Sequence, residues 1–343
     1  MSDHEFLSVN AFLGTEMDAR AIKSAMELGI IDALNGGAAS QQALVAEQRA
    51  SPVGLRLLLD LLEVNGVIER TRDRVELTSR FKAALRFRDL MESRIAFADL
   101  VWPDIHDLFT PLLADLPQFM ARSKVFNLFR YDRCVEVTTE NLEATAAWTR
   151  FTTCLTKYES AAVLEAIALD AVGSFLDLGG NTGEFALQVC RRNPGIRAVV
   201  VDLPVVCALG ERHIDSTAAP AEAGRIAFFP TDMRKGKLPH AADLVSFKSV
   251  LHDWPDADAE HLLARAHSLV RPGGRLLIFE RGPIEMRGKR IPYAMAPDLV
   301  FLHFLRPADL YLKKLKELGF VSVEHRLIEL DMDFHLIVAQ RSA

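Results

Sequence analysis

Several things are scarce in this sequence, and each scarcity removes a class of function. Cysteine occurs four times in 343 residues, as Cys134, Cys154, Cys190 and Cys207. No two share a C-x-x-C spacing, so they read as buried thiols of a cytoplasmic protein, with no zinc site or disulfide frame. The histidines are scattered and no set of acids is clustered, so no metal centre is expected. No apolar run approaches the ~20 residues of a membrane helix. The opening "MSDHEFLSVN" has neither the basic nor the apolar region of an export signal. Positive charge is not in excess either. The formal net charge is -6, which gives no electrostatic reason to expect nucleic acid or an anionic membrane as partner. Repeats and low-complexity tracts are missing too. The expectation is a soluble, cytoplasmic protein of two domains.

What is present divides the chain in two. Residues up to about 165 carry mostly helical periodicity. "EMDARAIKSAMELGIIDAL" repeats apolar positions at helical spacing and stops at "NGG". "QQALVAEQ" reads as a short helix. "SPVGLRLLLDLLEVNG" reads as another, with Ser51 as N-cap, Pro52 in the first turn and Gly66 as stop. "VIERTRDRVELT" then predicts a small hairpin. Helices followed by a hairpin resemble a winged helix, which raises DNA binding by a ligand-sensing regulator. The third helix argues against it. A recognition helix offers basic and amide groups to a groove, whereas this one offers Leu55, Leu57, Leu58, Leu59, Leu61 and Leu62, with Arg56 set against Asp60 and Glu63. Such a helix buries itself in its own domain or against a second copy.

From about 170 strands and helices alternate, the pattern of a parallel sheet covered on both faces. The predicted strands are "SFLDL", "RAVVVD", "RIAFF", "DLVSFK" and "RLLIFE", with "AEHLLARAHSLV" the clearest helix, ended by "RPGG". After a last helix, "PADLYLKKLKELG", the segments "FVSVEHRLIEL" and "DFHLIVAQR" predict an antiparallel hairpin at the sheet edge.

The first of these strands leads into "SFLDLGGNTGEFAL". A plain tight turn would use such glycines, and so would a dinucleotide loop, where backbone amides approach a pyrophosphate. Gly180 and Gly183 suit the second and third glycine of that fingerprint, but Leu178 stands at the first. Asp177 also places a negative charge at the mouth. Two like charges ~4 Å apart cost about 1 kcal/mol even at the dielectric of water, and several more near a protein surface. A ligand with an ammonium and a sulfonium but no phosphate reverses that sign, and S-adenosylmethionine is such a ligand. Asp202 ends the next strand about 20 residues on, where an acid accepts ribose hydroxyls of either ligand. Asp232 and Met233 in "FFPTDM" suit an adenine amino group and face.

"FLDLGGNTG", "VVDLP", "TDM", "FKSVLHDWPD" and "RPGGRLLIFERGPIE" follow in the order and rough spacing of the plant-type small-molecule O-methyltransferases and their bacterial relatives, which the whole chain resembles. The resemblance implies a Rossmann-like class I methyltransferase sheet of doubly wound α/β type, with a helical, winged-helix-like N-terminal domain that makes a homodimer. It divides the chain into 1–100 for dimerisation, 101–165 as a helical connector and 166–343 for catalysis. It implies an S-adenosylmethionine site lined by Asp177, Gly179, Gly180, Gly183, Asp202, Leu203, Asp232, Met233 and Lys248, the lysine on the cofactor side.

His252 in "LHDWPD" is the expected general base. It follows a strand at the rim where open α/β sheets place ligands, and its ordinary pKa leaves it mostly neutral at pH 7. Glu280 matches the family acid that braces the ring through its other nitrogen. One departure stands out. The family's second bracing glutamate falls at Leu305 here, and no acid matches. His252 is then oriented by Glu280 alone, by Asp253 or by Asp298, or is not tuned as a strong base, and His303 is a second possible proton acceptor. The gap leaves room for transfer to nitrogen or carbon, or for changed chemistry on the same scaffold.

The acceptor pocket is expected between the two halves. Residues 95–160 hold Phe97, Trp102, Phe109, Phe126, Phe129, Trp148, Phe151 and Tyr158. Trp148, Phe151, Thr152 and Leu155 share a helical face, and Met295 and Leu299 in "YAMAPDLVFL" add apolar surface from the catalytic domain. This predicts a flat, hydroxylated aromatic or polyketide-like acceptor.

Overall fold

The fold begins with a capping box. In the computed structural model, which describes residues 4–40, 42–44, 51–72, 74–286, 288 and 290–343, Thr15 caps the helix Glu16–Glu27 by accepting from the Asp18 amide at 3.1 Å, and Asp18 accepts from the Thr15 amide at 2.9 Å. The periodic stretch that follows is not one helix. Gly29 takes φ +74°, a left-handed conformation open to glycine without steric cost, and a second helix, Ile30–Asn35, starts after it. The helix predicted over "QQALVAEQ" falls largely outside the described residues. Ser51 caps the helix Pro52–Val64, accepting from the Gly54 amide at 3.1 Å, and Gly66 follows its end with φ +71°. Its apolar residues divide by face: Leu55, Leu58, Leu59 and Leu62 are buried, whereas Val53, Leu57 and Val64 are exposed. The hairpin is present as β2 (Ile68–Thr71) and β3 (Arg74–Leu77), joined by β1 (Ala39–Ser40) in an antiparallel order β1-β3-β2.

Two compact units make up the chain. One is Met1–Asp107 with Met286–Leu299, and the other is Leu108–Glu285 with Val300–Ala343. The long helix Arg88–Ala114 kinks at Leu108 (φ -126°), where the second unit begins. Met286–Leu299 belongs to the first unit. There the Tyr293 and Ala294 amides bond the carbonyls of Gly14 and Leu13, and the Tyr293 ring stacks on Trp102 at 5.1 Å.

The second unit is built on seven strands: β4 (Ser174–Leu178), β5 (Arg197–Asp202), β6 (Ile226–Pro230), β7 (Ala242–Lys248), β8 (Val270–Arg281), β9 (Ser322–Glu329) and β10 (Asp333–Gln340). Their order is β6-β5-β4-β7-β8-β10-β9. The first five run parallel, and β10 is antiparallel to both β8 and β9. Helices on both faces explain the unbroken apolar runs of the central strands. On one face Leu262, Leu263 and Ala266 of the helix Asp256–Leu269 pack on Val245, Phe247 and Ile278. Each such fully buried large side chain stabilises the fold by about 1.5–3 kcal/mol relative to exposure. "RPGG" lies within β8 as an irregularity, since Ala242 pairs with Val270 but Leu244 with Arg275. The hairpin is at the edge as expected, with β9 outermost. This is a doubly wound, Rossmann-like α/β sheet joined to a helical N-terminal region. Strand order reverses between β4 and β7, and the crevice at that switch point is where such sheets bind ligands.

Candidate functional site

The loop leaving β4 sits at this switch point. Gly179 has φ +70°, and a Cβ there would stand 2.8 Å from Val250 Cγ1. On Gly180 a Cβ would stand 2.6 Å from Asp177 Oδ2. The Phe228 ring of β6 occupies the space a side chain would need at both Gly183 (3.0 Å) and Gly210 (2.3 Å). The third glycine of the loop thus serves helix-to-sheet packing as well as the turn.

Asp177 is buried, and its Oδ1 accepts from Ser246 Oγ at 2.5 Å. Its Oδ2 has no protein partner. Burial pushes the carboxyl up to about 7, although the Ser246 bond and the Lys248 charge pull the other way. A buried carboxylate oxygen without a donor fits a cationic group and repels a pyrophosphate. Asp202 accepts from the Asn181 amide at 2.8 Å through one oxygen and from the Leu203 amide at 2.7 Å through the other. Burial pushes it up to about 6, against the pull of those two bonds. Asn181, at φ +53°, also donates to Thr152 Oγ1 at 2.7 Å, so Thr152 is engaged by the glycine loop. Next to it, Thr153 and Thr182 share a 2.6 Å hydrogen bond.

Asp232 is held by Arg234 at 3.0 and 2.9 Å. Burial alone would raise its carboxyl, but those bonds outweigh it and keep the group below its ordinary range. Arg234 in turn lies 4.1 Å over the Trp254 ring. Met233 flanks the loop, its methyl 3.5 Å from where a Gly179 Cβ would be. Lys248 is buried in an ion pair with Glu159 at 2.5 Å, and the other Glu159 oxygen accepts from Arg281 at 2.6 Å. The carboxylate of Glu159 thus joins the helix Thr139–Ala166 to the carboxyl ends of β7 and β8.

The structure brings His252 and Glu280 together. Nδ1 of His252 lies 2.6 Å from Glu280 Oε2, and Oε1 accepts from the Val250 and Leu251 amides at 2.7 Å each. The Glu280 side chain is 0% exposed and the His252 side chain 13%. Burial would raise the Glu280 carboxyl, but His252 and the two amides more than offset it, so the glutamate stays ionised. Burial would lower His252, yet Asp253 and Glu280 together raise it above the ordinary histidine value. Asp253 Oδ1 is 3.4 Å from Nε2 of His252. Leu305 is buried and brings no charge. Its neighbour Arg306 donates to the Trp254 carbonyl at 2.6 Å and ties down the loop that carries His252. His303 bonds the Leu112 carbonyl through Nε2 at 2.7 Å, so that nitrogen carries the proton and cannot accept one.

The residues assigned to the acceptor are divided between the two units. Trp148 is buried in a core with Cys134, Val205 and Val206. Phe151 and Leu155 are half-buried on the same helix. Met295 and Leu299 are half-buried in the first unit, although their place in the sequence put them with the catalytic domain. Sequence reasoning did not single out Ser246, Asn181, Glu159, Tyr131 or Arg306. A lone serine in the apolar run of β7 was a readable signal. Glu159 and Tyr131 had none, because their partners lie 89 and 122 residues away.

An O-methyltransferase domain matches residues 120–303, and an O-methyltransferase dimerisation domain matches residues 12–84. Acetylserotonin O-methyltransferase of Bos taurus is 38% identical over 135 residues, which is 37% of this chain and 38% of that protein. The 3-hydroxy-5-methyl-1-naphthoate 3-O-methyltransferase of Streptomyces sahachiroi is 35% identical over 114 residues, 33% of this chain and 32% of that one. The matched stretches therefore span less than two-fifths of either relative's length. Among solved structures, CalO1, a methyltransferase in calicheamicin biosynthesis in its SAH-bound form, superposes with a TM-score of 0.71 at 23% identity, covering 95% of this chain and 94% of that one. With the domain match spanning more than half of its residues, the chain belongs to the O-methyltransferase family.

Proposed function

We propose that the protein is an S-adenosylmethionine-dependent O-methyltransferase that methylates a hydroxyl of a small aromatic or polyketide-like acceptor, with His252 as general base, and that it works as a homodimer. The observation that carries this reading is the pairing of His252 with a fully buried, amide-pinned Glu280 at the same carboxyl-end rim of the sheet as the orphaned oxygen of Asp177. When bound, S-adenosylmethionine supplies a methyl carbon already activated by its sulfonium. Asp177 meets the ammonium of that ligand. Asp202 keeps lone pairs for the ribose hydroxyls, because each of its oxygens accepts a single amide bond. Asp232, Met233, Leu203 and Lys248 complete the cofactor side, and Gly179, Gly180 and Gly183 leave room for it.

Glu280 accepts a hydrogen bond from Nδ1–H and so fixes the tautomer that leaves Nε2 free. Nε2 then takes the proton of the acceptor hydroxyl as its oxygen bonds to the methyl carbon, with the two atoms held in line. A planar acceptor agrees with Phe126, Phe129, Phe301 and Phe304, whose ring centroids lie 5.3–6.0 Å apart in linked pairs. Phe151, Thr152 and Leu155, half-buried on the helix Thr139–Ala166, are further candidates for its walls. The dimerisation-domain match and the exposed Val53, Leu57 and Val64 support self-association.

Calorimetry with S-adenosylhomocysteine and, separately, with NAD tests the reading. Binding of the first and not the second is expected. NAD binding, with no S-adenosylhomocysteine binding at high micromolar concentration, would overturn it in favour of a dehydrogenase.

A further inference from the structure

Nε2, the nitrogen assigned to the chemistry, faces Asp253 Oδ1 at 3.4 Å. The other oxygen of that carboxylate, Oδ2, accepts from the Tyr131 hydroxyl at 2.8 Å. Tyr131 is itself wedged between Trp254 and Trp148, with ring centroids 5.6 and 5.9 Å away. Its position is therefore set by packing, and it in turn sets the position of Asp253. At Leu305, where the family's second bracing acid would stand, the chain offers only an apolar side chain.

We infer that Asp253, locked in place by Tyr131, is the second arm of the His252 clamp and takes over the work of the acid missing at Leu305. This rests on the reading of His252 as base. The chemistry follows from which atoms face each other. While Nε2 is unprotonated, it and Asp253 Oδ1 are two acceptors 3.4 Å apart that cannot hydrogen-bond to each other. Once Nε2 has taken the proton, the N–H meets the carboxylate and the imidazolium gains a charge-assisted partner on each nitrogen. The proton leaves the acceptor oxygen, the oxygen's electron pair forms the new O–C bond, and the C–S pair stays with sulfur. The positive charge that began on sulfur thus ends on an imidazolium held between two carboxylates. Tyr131 acts only through Asp253 and is a positioning residue.

Among the described residues, the charged and titratable groups around this centre are Glu280, Arg281, Tyr311, Arg306, Asp202, Asp256, Cys134 and His335, together with Asp253 and Tyr131 themselves. Arg281 opposes protonation of His252, and the two carboxylates favour it. Removing Asp253's charge must therefore lower the proton affinity of the ring. Removing the Tyr131 hydroxyl leaves Asp253 harder to ionise, because that bond helps hold its carboxyl down against burial, so the effect has the same sign and is smaller.

The test is a pH titration of the 15N-labelled histidine rings in the full-length protein loaded with S-adenosylhomocysteine. The His252 signal is assigned by its loss in His252→Ala. In Asp253→Asn the midpoint of His252 should move to lower pH, and in Tyr131→Phe it should move the same way by less. Tyr131→Phe added to Asp253→Asn should change nothing more. Both substitutions are close to isosteric, and parent-like affinity for S-adenosylhomocysteine marks a folded variant. A midpoint that stays put in folded Asp253→Asn overturns the inference, and so does a Tyr131→Phe shift that persists undiminished in the Asp253→Asn background. The base assignment fails separately, if His252→Ala transfers methyl to its acceptor at the parent rate.

Discussion

At the residue scale, two groups carry most of the consequences. Glu280 presents one oxygen to two amides and the other to Nδ1, so the ring's tautomer depends on a single acceptor. His252→Ala should lower turnover roughly 10²–10⁴-fold, the usual share of acid–base catalysis, with little change in cofactor affinity. Glu280→Gln should cost a comparable amount despite its matching shape. Its amide nitrogen would donate to Nδ1 and force the proton onto Nε2, the wrong nitrogen for a base. Steady-state kinetics of the two variants checks this, and a glutamine variant near the parent rate would mean that orientation alone suffices. Because His252 is raised above its ordinary value, turnover should climb with pH along a limb lying above the usual histidine range of about 6.5. Asp177, pushed up to about 7, makes a second pH signature. A group raised in the folded state contributes stability that is complete below its unfolded pKa and lost as pH climbs to the folded one. The ligand-free protein should therefore lose stability between about pH 4 and 7 from this site. An ammonium docked on Asp177 favours the ionised form, so S-adenosylhomocysteine binding should release a proton at pH 6 and almost none at pH 8. Calorimetry in buffers of different ionisation heat measures that number, and a heat independent of buffer at pH 6 would sink the assignment.

At the element scale, the strands and most helices could be read from the sequence because local rules fix them: apolar runs for the buried strands, Ser51, Pro52 and Gly66 for one helix. Misreadings arose where conformation decides and periodicity cannot. The first long helical pattern breaks at Gly29 because a residue at φ +74° cannot continue a helix, whatever its neighbours' hydrophobicity. The pairing of His252 with Glu280 was legible because motif order placed both residues at or just after strand ends. The supporting groups were not, since a hydrogen bond between Tyr131 and Asp253 leaves no mark at short sequence range. Packing of the helix Pro204–Thr217 on β6 gives a prediction of opposite sign to helix propensity. Replacing a helical glycine by alanine ordinarily gains about 1 kcal/mol. At Gly210 the new Cβ would fall 2.3 Å from Phe228 Cε1, and overpacking of that kind costs about 1–3 kcal/mol. Gly210→Ala should therefore lower the melting temperature in a calorimetric scan, and a higher one would show that the Phe228 ring moves aside freely.

At the scale of the whole molecule, the face of Pro52–Val64 that carries Val53, Leu57 and Val64 is turned out of its own unit. If that face joins two copies, light scattering should find a particle of twice the chain mass, and Leu57→Asp should shift it toward the single chain. Parent-like mass in that variant would place the contact elsewhere in the dimerisation domain. The order β8-β10-β9 has a consequence of a different kind, in time. β8 is complete by Arg281, but its neighbour on that side begins at Asp333. A ribosome adding roughly 5–20 residues per second thus leaves an open strand edge, backed by Leu276, Leu277, Ile278 and Phe279, for several seconds. β9 emerges first, yet it has no place in the sheet until β10 has threaded between them. The nascent chain therefore spends that interval with an unpaired apolar strand edge, an aggregation hazard, and a chain cut before Asp333 would keep that edge unpaired.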